Sequence, residues 1–475
     1  MTLSWQTTDV LILGSGLAGL RAAWAAREAA PNLTVTVAGL GTGPSGSSFA
    51  NRNDALGMQA PDDSQADAFV SEALTLARPG TADEGLVRIL AQDAQARLRD
   101  LESLDLSFRR EEYGRLALFP GCFSRAPRAV IFTDLGRAFA QFRARVAALG
   151  TAFLTGVEAL GLLARDGAVA GALFLQGDGG FLAVRSRAVV LALGGPAALF
   201  GLDLSGPGST GLSYGLLAEA GAELANAGFL QFLWAEVRTR SFCSPAEALA
   251  DGCVLLFPDG QRLALDADAP ESIRDVLPEL RTARATHCPA GYGLADAALD
   301  ELLLANLWPD GLARVERAGV LLELGLFAHA GNGGAQIDAD GRTSAAGLFA
   351  CGECATGMHG ANRLGGGMVL ATQVFGARAG RAAAKLAAEV PLPGPCPAIP
   401  GELLERARDP EAACSALERI RQGMQRHCLF GPRQGIEAWR AELADLAETG
   451  PGRRARLAAK AGFVVANGPA GADQA

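Results

Sequence analysis

The sequence predicts an α/β fold built on a parallel sheet, and three observations carry that prediction. The apolar run from Val10 to Leu13 meets Gly14-x-Gly16-x-x-Gly19 and passes at once into an alanine-rich segment. A β-branched run from Leu33 to Ala38 follows, as the second strand of a βαβ unit requires. Far downstream, Gly347 to Gly352 again takes an apolar strand into glycine, ahead of a long helical stretch reaching Lys385.

A glycine triplet placed between a strand and a helix reads as a dinucleotide site, although a chain with 60 glycines also produces such spacing by chance. Gly14 permits the tight turn, Gly16 lets backbone approach a pyrophosphate, and Gly19 lets helix and strand pack closely. The phosphates would then rest on the N–H groups of the helix start, around Ser15, Leu17 and Ala18. Such units usually end their second strand in an acidic residue that holds a ribose. Here the strand ends Ala38-Gly39-Leu40, so the ribose must be held otherwise. The small-residue loop from Gly41 to Ser48 has the composition of a flexible linker, but its position after that strand puts Ser47 and Ser48 at the same crevice.

Bulk properties set the frame. A chain of 475 residues is too long for one ordinary core, so two or three domains are expected. The 49% hydrophobic and 20% charged content describes a globular chain, and a net charge of -9 argues against nucleic-acid partners. No basic leader and no apolar run of spanning length stands out, so the expectation is a cytoplasmic protein with no membrane span. Nine scattered cysteines fit reduced thiols. Cys351 and Cys354 have redox spacing but lie in a strand-to-loop context, and no Cys/His cluster has metal spacing, so no metal is expected.

Along the chain, residues 62–104 read as helical with Asp83-Glu84 inside, and Thr133 can cap a helix running to Leu149. Thr151 to Phe174 reads as strand, hairpin and strand around Asp166-Gly167. The uncharged strand through Ala192 ends in Gly194-Gly195, as where a parallel sheet presents its carboxyl edge to a ligand. Mixed short elements and turns mark a change of character after Phe232, and Gly333 to Thr343 looks like a hairpin returning to the first unit. The layout expected is a Rossmann-like FAD-binding domain (1–232 and 333–392), an inserted α+β capping or substrate domain (233–332), and a short C-terminal helical tail (400–475) after a proline-rich linker.

Three stretches, GSGLAGLRAA from Gly14, GLFACGE from Gly347 and HGANRLGG from His359, resemble the succinate dehydrogenase and fumarate reductase flavoprotein subunits and the related L-aspartate oxidases. The resemblance runs over about residues 8–465, and HGANRLGG is its most specific part. It implies FAD on Gly14, Ser15, Gly16 and Gly19, on Ser47 and Ser48, at Gly194-Gly195, on Glu353 through the ribityl hydroxyls, and along Gly365-Gly366. Leu17, Ala18, Gly39, Val157, Ala192, Gly352 and Asn362 join them as candidate contacts. Ser47 stands where some relatives carry the histidine that bonds FAD covalently, so a non-covalent flavin is expected.

The same resemblance implies a small carboxylate substrate clamped by Arg363, with His329 and His359 beside it, Arg274 as proton carrier, and Glu247 or Asp251 relaying protons to Arg274. A guanidinium suits the clamp because its planar fork pairs with a carboxylate. Departures from the family matter equally. Leu233 and Trp234 replace the histidine and proline after the Phe-x-Gln-Phe segment, and Ala246 replaces a threonine, which predicts a drier pocket that disfavours a second carboxylate. The expected activity is hydride transfer between flavin and a carboxylate-bearing substrate. The alternatives are an L-aspartate-oxidase-like amine oxidation and a non-catalytic FAD-binding subunit, and an iron-sulfur or other electron-transfer partner is possible.

Overall fold

The computed structural model describes residues 3–394, 399–405, 409–431 and 433–469. Its centre is a five-stranded parallel sheet in the order Leu348–Ala350, Ala188–Leu191, Val10–Leu13, Val35–Gly39, Ala152–Thr155. Every residue of Val10–Leu13 and of Ala188–Leu191 is buried, which is why these runs are continuously apolar instead of alternating.

The opening helix, Leu17–Ala29, starts directly at the glycine turn and lies along the long helix Gly367–Glu389. Two glycines on the long helix make that approach possible. A Cβ on Gly380 would sit 2.1 Å from the carbonyl oxygen of Ala22, and one on Gly376 would sit 3.1 Å from that of Ala18.

The helical stretch after residue 62 is two helices, Ala66–Ala77 and Glu84–Glu102, because Pro79-Gly80 interrupts it and Asp83 caps the second by accepting from the Leu86 amide. The cap of helix Leu135–Ala148 is Asp134, whose carboxylate accepts from the Arg137 amide, and not Thr133. Thr133 is instead the last residue of strand Pro127–Thr133. The hairpin expected around Asp166-Gly167 is present as Val157–Arg165 and Ala168–Gln176. It extends through Phe181–Arg185 to Leu3–Thr7, an exposed strand that carries no core pattern.

The segment after Phe229 builds a second sheet in the order Leu230–Glu236, Val320–Gly331, Ala313–Arg317, Cys253–Leu256, Arg262–Leu263, antiparallel throughout. Its helices are locked by a fully buried ion pair. Arg284 Nε donates to Asp300 Oδ2 over 2.8 Å, and Trp234 Nε1 donates to Asp300 Oδ1 over 2.9 Å. The chain returns through Gly334–Gln336, which pairs with Leu224–Ala225 and Ala355–Thr356.

Helices Pro410–His427, Ile436–Thr449 and Arg453–Asn467 form the C-terminal part. Arg453 fixes it to the rest, donating Nε to the Leu160 carbonyl over 2.8 Å and pairing both terminal nitrogens with Glu219. The proline-rich linker expected over 390–400 lies partly outside the described residues.

Candidate functional site

The carboxyl edge of the parallel sheet opens into a crevice. Sterics explain its shape. A Cβ on Gly14 would sit 2.2 Å from the Ala192 carbonyl oxygen, and one on Gly19 would sit 1.9 Å from that of Gly14, so both positions exclude any side chain. Gly16 has nothing within 4 Å of its would-be Cβ, which leaves open space where a ligand's backbone contact belongs. The opening helix begins at Gly16 without a side-chain cap or an acidic residue in its first turn, and the long helix begins at Gly366 in the same way. Uncapped helix starts carry free N–H groups and the positive end of the helix dipole, a combination that favours phosphate.

Around this opening the crevice is lined by Gly14, Ser15, Gly16, Leu17 and Ala18 on the turn, and by Gly39, Ser47 and Ser48 after the second strand. Val157, Ala192, Gly194, Gly352 and Glu353 line its other wall. Gly39 is needed there, since a Cβ would stand 2.6 Å from Ser15 Oγ. Gly19 serves packing, and Gly195 serves Glu353, whose Oε2 would lie 2.3 Å from a Cβ at that position. Glu353 is half-buried and accepts from the Gly331 amide over 3.2 Å; desolvation raises its pKa despite the nearby charge of Arg363. A crevice bedded on glycines and walled by serines and an acid fits a dinucleotide with hydroxyl groups.

One sequence expectation for the cofactor changes, that of the Asn362 side chain. Asn362 does not face the crevice, because its amide is committed elsewhere: Oδ1 accepts from the Tyr292 amide, and Nδ2 donates to the carbonyls of Tyr292 and Leu76. Gly365 and Gly366 act through backbone at the start of the long helix, where the carbonyl of Gly365 accepts from Gln59 Nε2 over 2.8 Å. The wall also contains Ser209, Thr210 and Glu158, which sequence reasoning did not assign. Glu158 had a signal, as the single acid in the apolar strand Val157–Arg165; burial raises its pKa against the opposing charge of Arg454.

Beyond the crevice, three expected residues converge. Arg363 is buried, donates Nε to Asn332 Oδ1 over 3.0 Å, and has no carboxylate in salt-bridge contact among the described residues. Burial lowers its pKa to about 10, with Glu353 pulling the other way. His329 is pushed down to about 4 and His359 to about 3, in each case first by burial and then by the charge of Arg363. His329 Nδ1 and His359 Nε2 are buried without a hydrogen-bond partner. The result is a dry cation flanked by two neutral imidazoles with unused nitrogens, a receptor for an anion.

Arg274, Glu247 and Asp251 are not brought to this receptor. Arg274 ends the short helix Glu271–Arg274, is exposed, and donates Nε and Nη2 to the Ala269 carbonyl. Glu247 closes a capping box with Ser244, and Asp251 pairs with Arg281 Nη1 at 2.6 Å. Each carboxylate therefore has a local partner other than Arg274. Trp234 turns into the second sheet's own core to reach Asp300, while Leu233 is buried outside the main apolar cluster and pairs with Phe327, two residues before His329.

The two glycine helix starts, the serine loop and the half-buried glutamate define the class: an FAD-dependent oxidoreductase. Comparisons with known proteins agree, since a family model described as FAD binding domain matches residues 9–300 and 322–369. An L-aspartate oxidase of Caulobacter vibrioides is 32% identical over 455 residues, 90% of this chain and 86% of that one. A fumarate reductase (CoM/CoB) chain of Methanothermobacter marburgensis is 31% identical over 400 residues, 79% of this chain and 72% of that one. Among solved structures, the Mycobacterium smegmatis Sdh1 complex in the apo form aligns with a TM-score of 0.76 at 22% identity, covering 98% of this chain and 86% of that chain. The chain belongs to the FAD-binding family that contains L-aspartate oxidases and fumarate reductase flavoproteins. Among the described residues no helix is long and apolar enough to cross a membrane.

Proposed function

We propose that this enzyme oxidises or reduces the carbon next to a substrate carboxylate, and that the substrate carries one carboxylate and an apolar end. The observation that carries the reading is Arg363, a buried cation with no carboxylate in contact among the described residues. Its terminal nitrogens are left for a substrate carboxylate once Nε is spent on Asn332, and His329 Nδ1 and His359 Nε2 complete the anion's hydrogen bonds. Because both imidazoles stay neutral above about pH 4, they add polarity without adding charge. The apolar end is supported by Leu233, buried and paired in register with Phe327, in the place where the family pattern carries a histidine.

Bound FAD, held non-covalently because serines and no histidine line the crevice among the described residues, supplies hydride transfer at its N5. The chain's own part is to dehydrate and orient the carboxylate beside that crevice. The amine-oxidising alternative is favoured by the L-aspartate oxidase relatives. An electron-transfer partner draws its support from the complex named for the Sdh1 neighbour. The scattered, odd-numbered cysteines of the sequence support a cytoplasmic location.

Anaerobic titration of the yellow protein with a panel of mono- and dicarboxylates, following flavin bleaching and recolouring, tests the reading. Monocarboxylates with apolar tails are expected to respond. Saturable turnover of fumarate or L-aspartate overturns the altered pocket, and hydrogen peroxide release on adding amino acids selects the oxidase alternative. Acid precipitation is expected to leave all yellow colour in the supernatant.

A further inference from the structure

The seam between the flavin crevice and the second sheet holds two thiols that the proposed reaction does not use. Cys122 lies on a loop pinned to the start of the long helix: its carbonyl accepts from the Gly365 amide over 2.8 Å, and a Cβ on Gly121 would stand 2.3 Å from the Gly365 carbonyl oxygen. Cys288 belongs to the other side, following the helix Leu277–Arg284, with its carbonyl held by Arg284 Nη2 over 3.1 Å. The neighbours of the two cysteines fix their approach. The Phe123 ring stacks on the His287 ring with centroids 4.1 Å apart, and His287 is itself anchored through Nε2 to Asp296 at 2.5 Å. Phe123 holds a left-handed φ of +63°, a conformation disfavoured for a non-glycine residue and maintained by such packing. The two thiols face each other within reach of a hydrogen bond that Cys288 donates to Cys122. That hydrogen bond, with the charge of Arg363 among its neighbours, draws the Cys122 thiol below its ordinary range, while the Cys288 thiol is raised. Cys288 is exposed and Cys122 half-buried, so both can be reached from solvent.

We propose that Cys122 and Cys288 form a peroxide-driven dithiol–disulfide couple that staples the second sheet to the flavin crevice beside Arg363. The Cys122 thiolate attacks one oxygen of hydrogen peroxide, the O–O bond breaks, and a sulfenic acid and hydroxide result. Cys288 gives its proton to that hydroxide and attacks the sulfur as a thiolate; the S–O bond breaks, and the departing hydroxide takes up the proton that Cys122 released on ionising and leaves as water. The sum is two thiols and one peroxide giving one disulfide and two waters, and an external dithiol reverses it. Closing the staple fixes the seam next to the carboxylate receptor, so oxidised enzyme slows.

The test uses the full FAD-loaded protein treated with equimolar hydrogen peroxide, quenched with N-ethylmaleimide and digested with trypsin. The expected result is a linked pair of peptides 116–125 and 285–314, lighter by two hydrogens and separated by dithiothreitol, with more than tenfold loss of alkylation at both cysteines. Exposed Cys414 keeps its reactivity and serves as the internal reference. In the variant C288S, Cys122 is expected to stop at the sulfenic acid and be captured by dimedone. Turnover of wild-type enzyme is expected to fall several-fold on oxidation and to recover with dithiothreitol. Absence of the linked peptide, with Cys122 and Cys288 alkylated as fast as Cys414, overturns the proposal. This readout is independent of substrate identity.

Discussion

The crevice and the second sheet differ in what constrains their residues. At the crevice, backbone meets backbone: Gly14 and Gly19 each lie where a Cβ would come within about 2 Å of a carbonyl oxygen, so the residue type is dictated by van der Waals exclusion. Across the seam, function rests on where long side chains end. Arg274 and Arg363 both match arginines of the family pattern, yet one is exposed against the Ala269 carbonyl and the other is buried without a carboxylate partner. Contacts of backbone leave signatures in sequence that side-chain reach does not.

The sharpest way to test this contrast compares two glycines of one motif. G19A is expected to lose about 3 kcal/mol or more and to fail to accumulate folded protein, because the added methyl overlaps a rigid carbonyl. G16A meets no protein atom and is expected to keep the fold while losing the flavin, read as a colourless but cooperatively melting protein. If both variants fold and stay yellow, the crevice is not the steric device described.

Next in size is the receptor itself. R363Q is expected to keep flavin absorbance and lose about 10²- to 10³-fold in kcat/KM, the scale of removing one partner from a buried charged pair. R274Q, by geometry a surface change, is expected to stay within about twofold. A reversal of that order would show that the second sheet closes differently over substrate and that the family pattern outranks the placement seen here.

Acid stability gives a smaller effect. His329 and His359 titrate near 4 and 3 in the folded chain against 6.5 as the ordinary value. Both pKa values are depressed, so the unfolded state binds protons that the native state refuses below about pH 6.5. Stability is therefore full above that pH and falls as pH drops toward 4, by about 1–2 kcal/mol per histidine at pH 5. Urea melts of wild type and H359Q from pH 7 to pH 4.5 check it, the variant being expected to lose about half of the slope. An unchanged slope would place His359 in a wetter site than the one described.

The same distinction explains what the sequence disclosed. The inner strands Val10–Leu13 and Ala188–Leu191 were legible because burial on both faces makes them uniformly apolar, and the helix starts because Gly14 and Gly19 stand where a Cβ would overlap backbone and Gly366 holds a left-handed φ of +80°. Arg363 and His329 were placed through motifs carried by backbone, His329 by its spacing from the double glycine. Asn362 was misassigned because a buried amide in a cofactor loop can equally well spend its atoms on neighbouring backbone, and Tyr292 and Leu76 take all of them. Glu247 and Asp251 spend their carboxylates on Ser244 and Arg281, local partners that spacing does not encode. The strand Leu3–Thr7 was invisible since, fully exposed, it carries no pattern of burial.

The central sheet is closed on one side by Leu348–Ala350, and the second helix start of the crevice follows it. Ribosomal synthesis delivers these pieces last among the parts of the pocket. Until they emerge, Ala188–Leu191 has an unpaired edge, and an unpaired apolar edge favours aggregation. The crevice is whole only when the last of these pieces has folded onto the first.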